Sequence, residues 1–89
     1  MVAVLKANGD SFVLGPANGR EFTLKEVQAV VGGYIEAVSI PRSTRTMWVN
    51  EEGLLKGLPL NEEASQLAKQ RIVGDVLVSK ESETESQPD

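Results

Sequence analysis

The run Ile72-Val73-Gly74-Asp75-Val76-Leu77-Val78 limits what this chain can fold into more than any other stretch. It is mostly apolar, with Asp75 its one charge, and a short run of that kind suits a central β-strand covered on both sides. The chain has 89 residues with which to build that cover. A domain of this size buries only about 60 to 65% of the surface its unfolded chain exposes, so its core is thin. Small domains with neither disulfides nor metals often complete their burial by oligomerising.

Local signals upstream supply the rest of the sheet and two helices. Residues 2–15 join two apolar stretches through Asn8-Gly9, a pair that tolerates positive φ. That predicts a hairpin with a type I′ turn and strands over about 2–7 and 11–15. A second turn is expected at Asn18-Gly19, after Pro16, making a short meander of the N-terminal third. Thr23 followed by Glu26 spells a capping box, with Leu24, Val27, Val30 and Val31 on one face of the helix it opens. Gly32-Gly33 ends that helix, because glycine takes the left-handed conformation without a Cβ penalty.

Residues 34–40 read as a strand, with Ile35 and Ala37 on one face and Tyr34, Glu36, Val38 and Ile40 on the other. A carboxylate among such neighbours points to a sheet edge or an arginine partner, and less often to function. Pro41 opens a loop, Met47-Trp48-Val49-Asn50 is a short strand, Asn50-Glu51-Glu52-Gly53 its turn, and Leu54-Leu55 a brief return strand. Asn61 caps a second helix, with Glu62 and Glu63 in its first turn and Lys69 and Arg71 near its end. Its apolar stripe is Leu60, Ala64, Leu67 and Ala68. The order ββαββ(β)αβ is that of one α+β domain over residues 1–79, with a mostly antiparallel sheet and two short helices. Residues 80–89 contain no apolar side chain able to dock and read as a disordered acidic tail.

Composition narrows function by subtraction. The chain has no Cys, so disulfides and thiolate metal sites are excluded. It has no His, which removes the commonest general base, the usual partner of a serine nucleophile and the commonest zinc ligand. No catalytic residues, metal or cofactor are assigned, and the expected class is non-catalytic. The net charge of −4 is concentrated in the tail, where Lys80 stands against Glu81, Glu83, Glu85 and Asp89. The remainder is close to neutral, with no basic face long enough to track a nucleic-acid backbone. No apolar run approaches the roughly 20 residues that span a bilayer, and the first ten residues turn polar too soon for a signal peptide. A cytosolic protein without a membrane partner is expected.

Two features invite a functional reading. Asn-Glu-Glu occurs twice, at 50–52 and 61–63, and four nearby carboxylates suggest a Mg²⁺ or acid–base site, with Glu36 as a further member. Yet each residue also has a local role, Asn50 in a turn with Gly53 and Asn61 as a helix cap. The second feature is the stretch from Ile40 to Asn50, where basic, hydroxyl and aromatic side chains alternate. Arg42 and Arg45 suit phosphate oxygens, Ser43, Thr44 and Thr46 can donate hydrogen bonds, and Trp48 or Tyr34 can stack on a base. Against this, Trp48 is one of only four aromatic residues and is equally suited to filling the core.

Four blocks carry a resemblance: residues 30–38 (VVGGYIEAV), 49–53 (VNEEG), 57–61 (GLPLN) and the closing 72–78. In this order and spacing they resemble a family of small phage- and plasmid-borne domains, domain of unknown function 3846. The resemblance covers residues from about 22 to 78 and implies a viral or mobile-element setting, with no established chemistry attached. It points to an accessory protein that acts on a host by binding. The leading expectation is a homo-oligomer that sequesters a small anionic ligand, such as a cyclic or linear nucleotide signal of host antiviral defence. Tyr34, Arg42, Ser43, Thr44, Arg45 and Trp48 are its candidate site. The alternative is an interaction module that blocks a host protein through a sheet edge or the second helix.

Overall fold

The computed structural model describes residues 2–15 and 22–80. Along them run β1 (Val2–Leu5), β2 (Ser11–Leu14), α1 (Leu24–Val31), β3 (Ile35–Ser39), β4 (Thr46–Asn50), α2 (Glu62–Ala68) and β5 (Val76–Ser79). The strands form one sheet in the order β2-β1-β5-β4-β3, antiparallel at every pairing. The most apolar strand thus holds the centre, and all four of its residues are buried. It starts later than the apolar run suggests. Gly74 turns the chain at φ +79°, and Val73 before it bridges Leu60.

Register assigns each side chain to a face. Val4, Leu77, Trp48 and Ala37 stand in line across four strands, with Val2 on the same side. Over this face lies α1, whose Val27 joins Val2, Phe22 and Leu77 in one buried cluster. The opposite face carries Leu5, Val76, Val78, Met47 and Val49, which pack with Ala64 and Ala68 of α2 and with Ile72. One short helix per face is the cover that the central strand requires.

Local chemistry builds these elements largely as the sequence indicates. The Thr23 side chain accepts the Glu26 N–H and the Glu26 carboxylate accepts the Thr23 N–H, a complete capping box. Gly32 closes α1 at φ +82°. Asn61 caps α2 by accepting the Ala64 N–H at 3.1 Å. The apolar stripe of α2 is narrower than its spacing implies. Ala64 and Ala68 are buried, whereas Leu67 stays exposed on the helix flank and Leu60, which precedes the helix and bridges Val73, is exposed as well.

Two expectations are corrected. The β1–β2 hairpin does not use a type I′ turn, since Asn8 is not among the positive-φ residues and only Gly9, at φ +97°, is left-handed. Lys6 exchanges bonds with two residues, its C=O accepting from Gly9 at 3.0 Å and its N–H donating to the Asp10 C=O at 2.8 Å. That is a type I turn closed by a glycine bulge, the solution for a three-residue loop. The return strand at Leu54–Leu55 is also absent. Residues 51–57 form successive turns, bonded Gly53 N–H to Asn50 C=O, Lys56 to Glu52 and Gly57 to Leu54. β4 already has β3 on one flank and β5 on the other, which leaves no edge for a returning strand. The turn expected at Asn18-Gly19 and the acidic tail beyond Lys80 lie outside the described residues.

Candidate functional site

The loop between β3 and β4 is fixed by two hydrogen bonds. Ser43 donates its N–H to the Ile40 C=O at 3.1 Å, closing a turn with Pro41 and Arg42 at its centre. The Ser43 hydroxyl then accepts the Arg45 N–H at 3.0 Å. Arg45 is separated by two positions from Met47 and so projects towards the α2 face of the sheet. There α2 presents Glu63, Gln66 and Leu67 at helical spacing, on the flank that Ala64 and Ala68 leave free.

Between the loop and α2 lies a cavity of about 420 Å³, within the roughly 300 to 1,000 Å³ of small-molecule sites. Ala3, Leu5, Ile40 and Val78 supply apolar surface, and Ser43, Arg45, Glu63, Gln66 and Lys69 supply polar groups. Its two cations outnumber its one carboxylate. A second cavity, of about 490 Å³, lined from β3, β4 and the segment after α2, has the opposite balance, with Glu36 and Glu51 against Arg71. Charge therefore distinguishes the two, and only the first favours an anion.

Backbone conformation singles out the same place. Arg42 (φ 62°) and Lys69 (φ 59°) are the only non-glycine residues with positive φ among those described. Lys69 lines the cavity, and Arg42 lies between two lining residues, Pro41 and Ser43. For an L-residue this conformation costs about 1 to 2 kcal/mol, and glycine or asparagine is the usual occupant. Both strained positions are basic. Replacing Arg42 by glycine is expected to raise the melting temperature by several degrees, equivalent to about 1 kcal/mol, because the strain is released. A melt that falls or stays put would show that Arg42 makes compensating contacts.

The six candidate residues separate into groups. Ser43 and Arg45 line the cavity, while Arg42 and Thr44 are exposed neighbours in the same loop. Tyr34 precedes β3 at its opposite end, about 20 Å from Ile40 at strand rise, and points into solvent. Trp48 is on the other face of the sheet. It packs against the α1 cluster and donates its indole N–H to the Ser79 hydroxyl at 3.0 Å. Neither aromatic comes to the arginine loop. Trp48 follows Arg45 by three positions, and on a strand an odd spacing means opposite faces, a signal present in the sequence. The residues that reasoning from sequence missed are Glu63, Gln66 and Lys69, which reach the cavity through the long-range docking of α2.

The repeated Asn-Glu-Glu resolves into two structural devices. Asn50 is buried, donates to the Val31 C=O at 3.1 Å and accepts the Glu52 N–H at 2.8 Å, tying the end of β4 to the end of α1. Asn61 is buried too, and donates to the C=O groups of Leu5 at 2.9 Å and Gly74 at 2.8 Å while capping α2. The glutamates diverge, Glu51 facing one cavity and Glu63 the other. Among the described residues no three acidic side chains gather into a cluster able to hold a metal ion. Glu36 stands exposed on the outer strand β3.

These features define a small α+β domain: an antiparallel sheet with one helix on each face and a cation-bordered cavity beneath the second helix. The chain belongs to the family described as Domain of unknown function (DUF3846), whose match runs over residues 5–89. That span extends beyond the four blocks at both ends, taking in most of the N-terminal hairpin and the acidic tail. No curated protein and no solved structure matches the chain. Among the described residues, no helix is long and apolar enough to cross a membrane.

Proposed function

We propose that this protein is a non-catalytic, homo-oligomeric binder that holds a small anionic ligand, of nucleotide size, in the cavity between the β3–β4 loop and α2. The observation that carries the reading is the pair of left-handed basic residues, Arg42 and Lys69, at the border of one cavity that also receives Arg45. Lys69 takes this conformation as the C-cap of α2 and Arg42 takes it in the Ile40–Ser43 turn, and at both places a cation stands beside the cavity where glycine or asparagine would suit the backbone better. The guanidinium of Arg45 suits two oxygens of a phosphate, and the Lys69 ammonium adds a mobile point charge. The apolar floor suits a sugar or base better than a bare inorganic ion. A ligand held without turnover is sequestered, which is how such a protein would remove a nucleotide signal of host defence.

Titration calorimetry against cyclic and linear mono- and dinucleotides tests this. Binding is expected for at least one of them, with the ligand recovered chemically intact. Arg45→Ala and Lys69→Ala are each expected to weaken it about tenfold or more, since a charge-assisted bond contributes about 1.5 to 3 kcal/mol. Trp48→Phe should leave affinity unchanged, because its ring faces the other side of the sheet. Absence of heat with every nucleotide overturns the reading.

A second reading, an interaction module that inhibits another protein, is favoured by Leu54 and Leu55, both exposed beside the other cavity. Recovery of one stoichiometric host protein by the native chain, and its loss with Leu55→Glu, would support that alternative.

A further inference from the structure

We propose that the free edge of β2 pairs with the same edge of a second copy of this chain, antiparallel and two-fold about Val13, so that two five-stranded sheets become one. The inference deepens the homo-oligomer of the reading above and rests on that part alone, with no dependence on a bound ligand.

Both end strands of the sheet have an open side among the described residues, but they differ in kind. β3 carries Glu36 at its second position, the sort of charge that guards an edge against pairing. β2 is Ser11-Phe12-Val13-Leu14, with no charge and no proline. Its apolar side chains are open on both faces, Phe12 by 48%, Val13 by 64% and Leu14 by 36%. An unguarded apolar edge is a template for another strand.

The hydrogen-bond phase of the hairpin sets which groups that edge offers. Lys6 donates to Asp10, so this pair faces inward, and the alternation of an antiparallel ladder makes Val4–Phe12 and Val2–Leu14 the next inward pairs. The backbone N–H and C=O of Ser11 and Val13 therefore point outward. A two-fold pairing that keeps each face continuous must centre on a residue, not between two, because facing residues share a side of the sheet.

The strand has two interior residues on which the two-fold can centre. About Phe12, Leu14 would oppose Asp10 of the second copy, an apolar side chain against a carboxylate. About Val13, Phe12 opposes Leu14 of the second copy and Leu14 opposes its Phe12, while the two Val13 side chains meet on the other face. Every exposed apolar group of the strand then finds an apolar partner, and the two outward Val13 backbones bond each other. A second copy of this chain is the one partner that presents this complement by construction. Val13 also stands across from Ala3, which floors the cation-bordered cavity. The joined sheet consequently places both cavities on one face, their floors connected through the paired valines.

The chain contains no cysteine, so a single introduced thiol reports the register directly. In the full-length protein Val13→Cys is expected to form a disulfide-linked dimer on mild oxidation, its Cα atoms being about 5.5 Å apart across the pair. Phe12→Cys is expected not to, since the two copies of residue 12 lie about 9 Å apart on the diagonal. Sedimentation velocity without any nucleotide should show the 9.6 kDa chain associating to twice that mass as concentration rises. Val13→Lys should shift it to monomer, whereas Ala37→Lys on the β3 edge should not. A protein that stays monomeric throughout, a dimer that cross-links through residue 12 but not 13, or a dimer that survives Val13→Lys and falls apart with Ala37→Lys overturns the proposal. Should Val13→Lys fail to fold by circular dichroism, the cysteine pair decides. A dimer that binds no nucleotide would leave this interface standing and remove only the ligand.

Discussion

Asn61→Ala is expected to destabilise the fold by about 3 to 5 kcal/mol, as read by urea denaturation at neutral pH. The side chain has no idle polar atom. Its oxygen caps α2, and removing a cap costs about 1 kcal/mol. Its amide nitrogen satisfies the carbonyls of Leu5 and Gly74, one at the end of β1 and one in the segment leading to β5. Each buried carbonyl left unpaired costs about 1 to 3 kcal/mol. A domain of this length has a total stability on the order of 5 to 10 kcal/mol, so the variant approaches the unfolding threshold. Asn61→Asp separates the two contributions. A carboxylate still caps the helix but faces two carbonyl oxygens with no hydrogen to offer, and it is expected to be at least as damaging as alanine. If either variant stays within 1 kcal/mol of the native protein, Asn61 is not the junction described above.

Met47→Ala is the second large effect, with an expected loss of about 2 to 5 kcal/mol. Met47 is fully buried in β4, beneath the face that α2 covers, in one cluster with Val49, Ala64, Ala68, Val76 and Val78. The helix side of that cluster is built from alanines and has no long side chain to collapse into a void. Met47→Leu conserves volume and is expected to cost less than about 1.5 kcal/mol. Near-equal melting temperatures for the alanine and leucine variants would mean that α2 can settle onto the sheet, contrary to a close-packed interface.

What was legible in the sequence is what short-range chemistry decides. As helix caps, Thr23 with Glu26, Gly32 and Asn61 each act within four residues of themselves, and the structure has each cap where its signal lies; the long-range bonds of the Asn61 amide have no such local signal. The central place of the last strand is legible for a different reason, since a mostly apolar run, with Asp75 its one charge, offers no solvent face. The failures are also physical. Asn8-Gly9 marks a turn, but its type depends on loop length, which is set by how β1 and β2 align. Leu54-Leu55 has strand-like side chains and no strand to pair with, a fact held in sheet order alone. Among the candidate site residues, Ser43 and Arg45 share a loop and stayed together. Tyr34 and Trp48 are near them in sequence only, a nearness that an extended chain converts into distance for one and the opposite face for the other. By sequence alone Lys69 is a helix-end charge, because nothing local says that α2 lies across from the arginine loop.

The position of β5 has a consequence for how the chain is made. β1 pairs with β2 and with β5, and β4 pairs with β3 and with β5, so the two hairpins share no ladder except through the last strand. During synthesis the first hairpin waits for more than sixty residues of elongation before its inner edge is filled, with Ala3 finding Val78. Until then the nascent protein is two separate two-stranded ribbons, and ribbons of that size are marginal in water. Folding is thus a late, single event with high contact order, and any stall of the ribosome before β5 emerges exposes two unfilled inner edges at once.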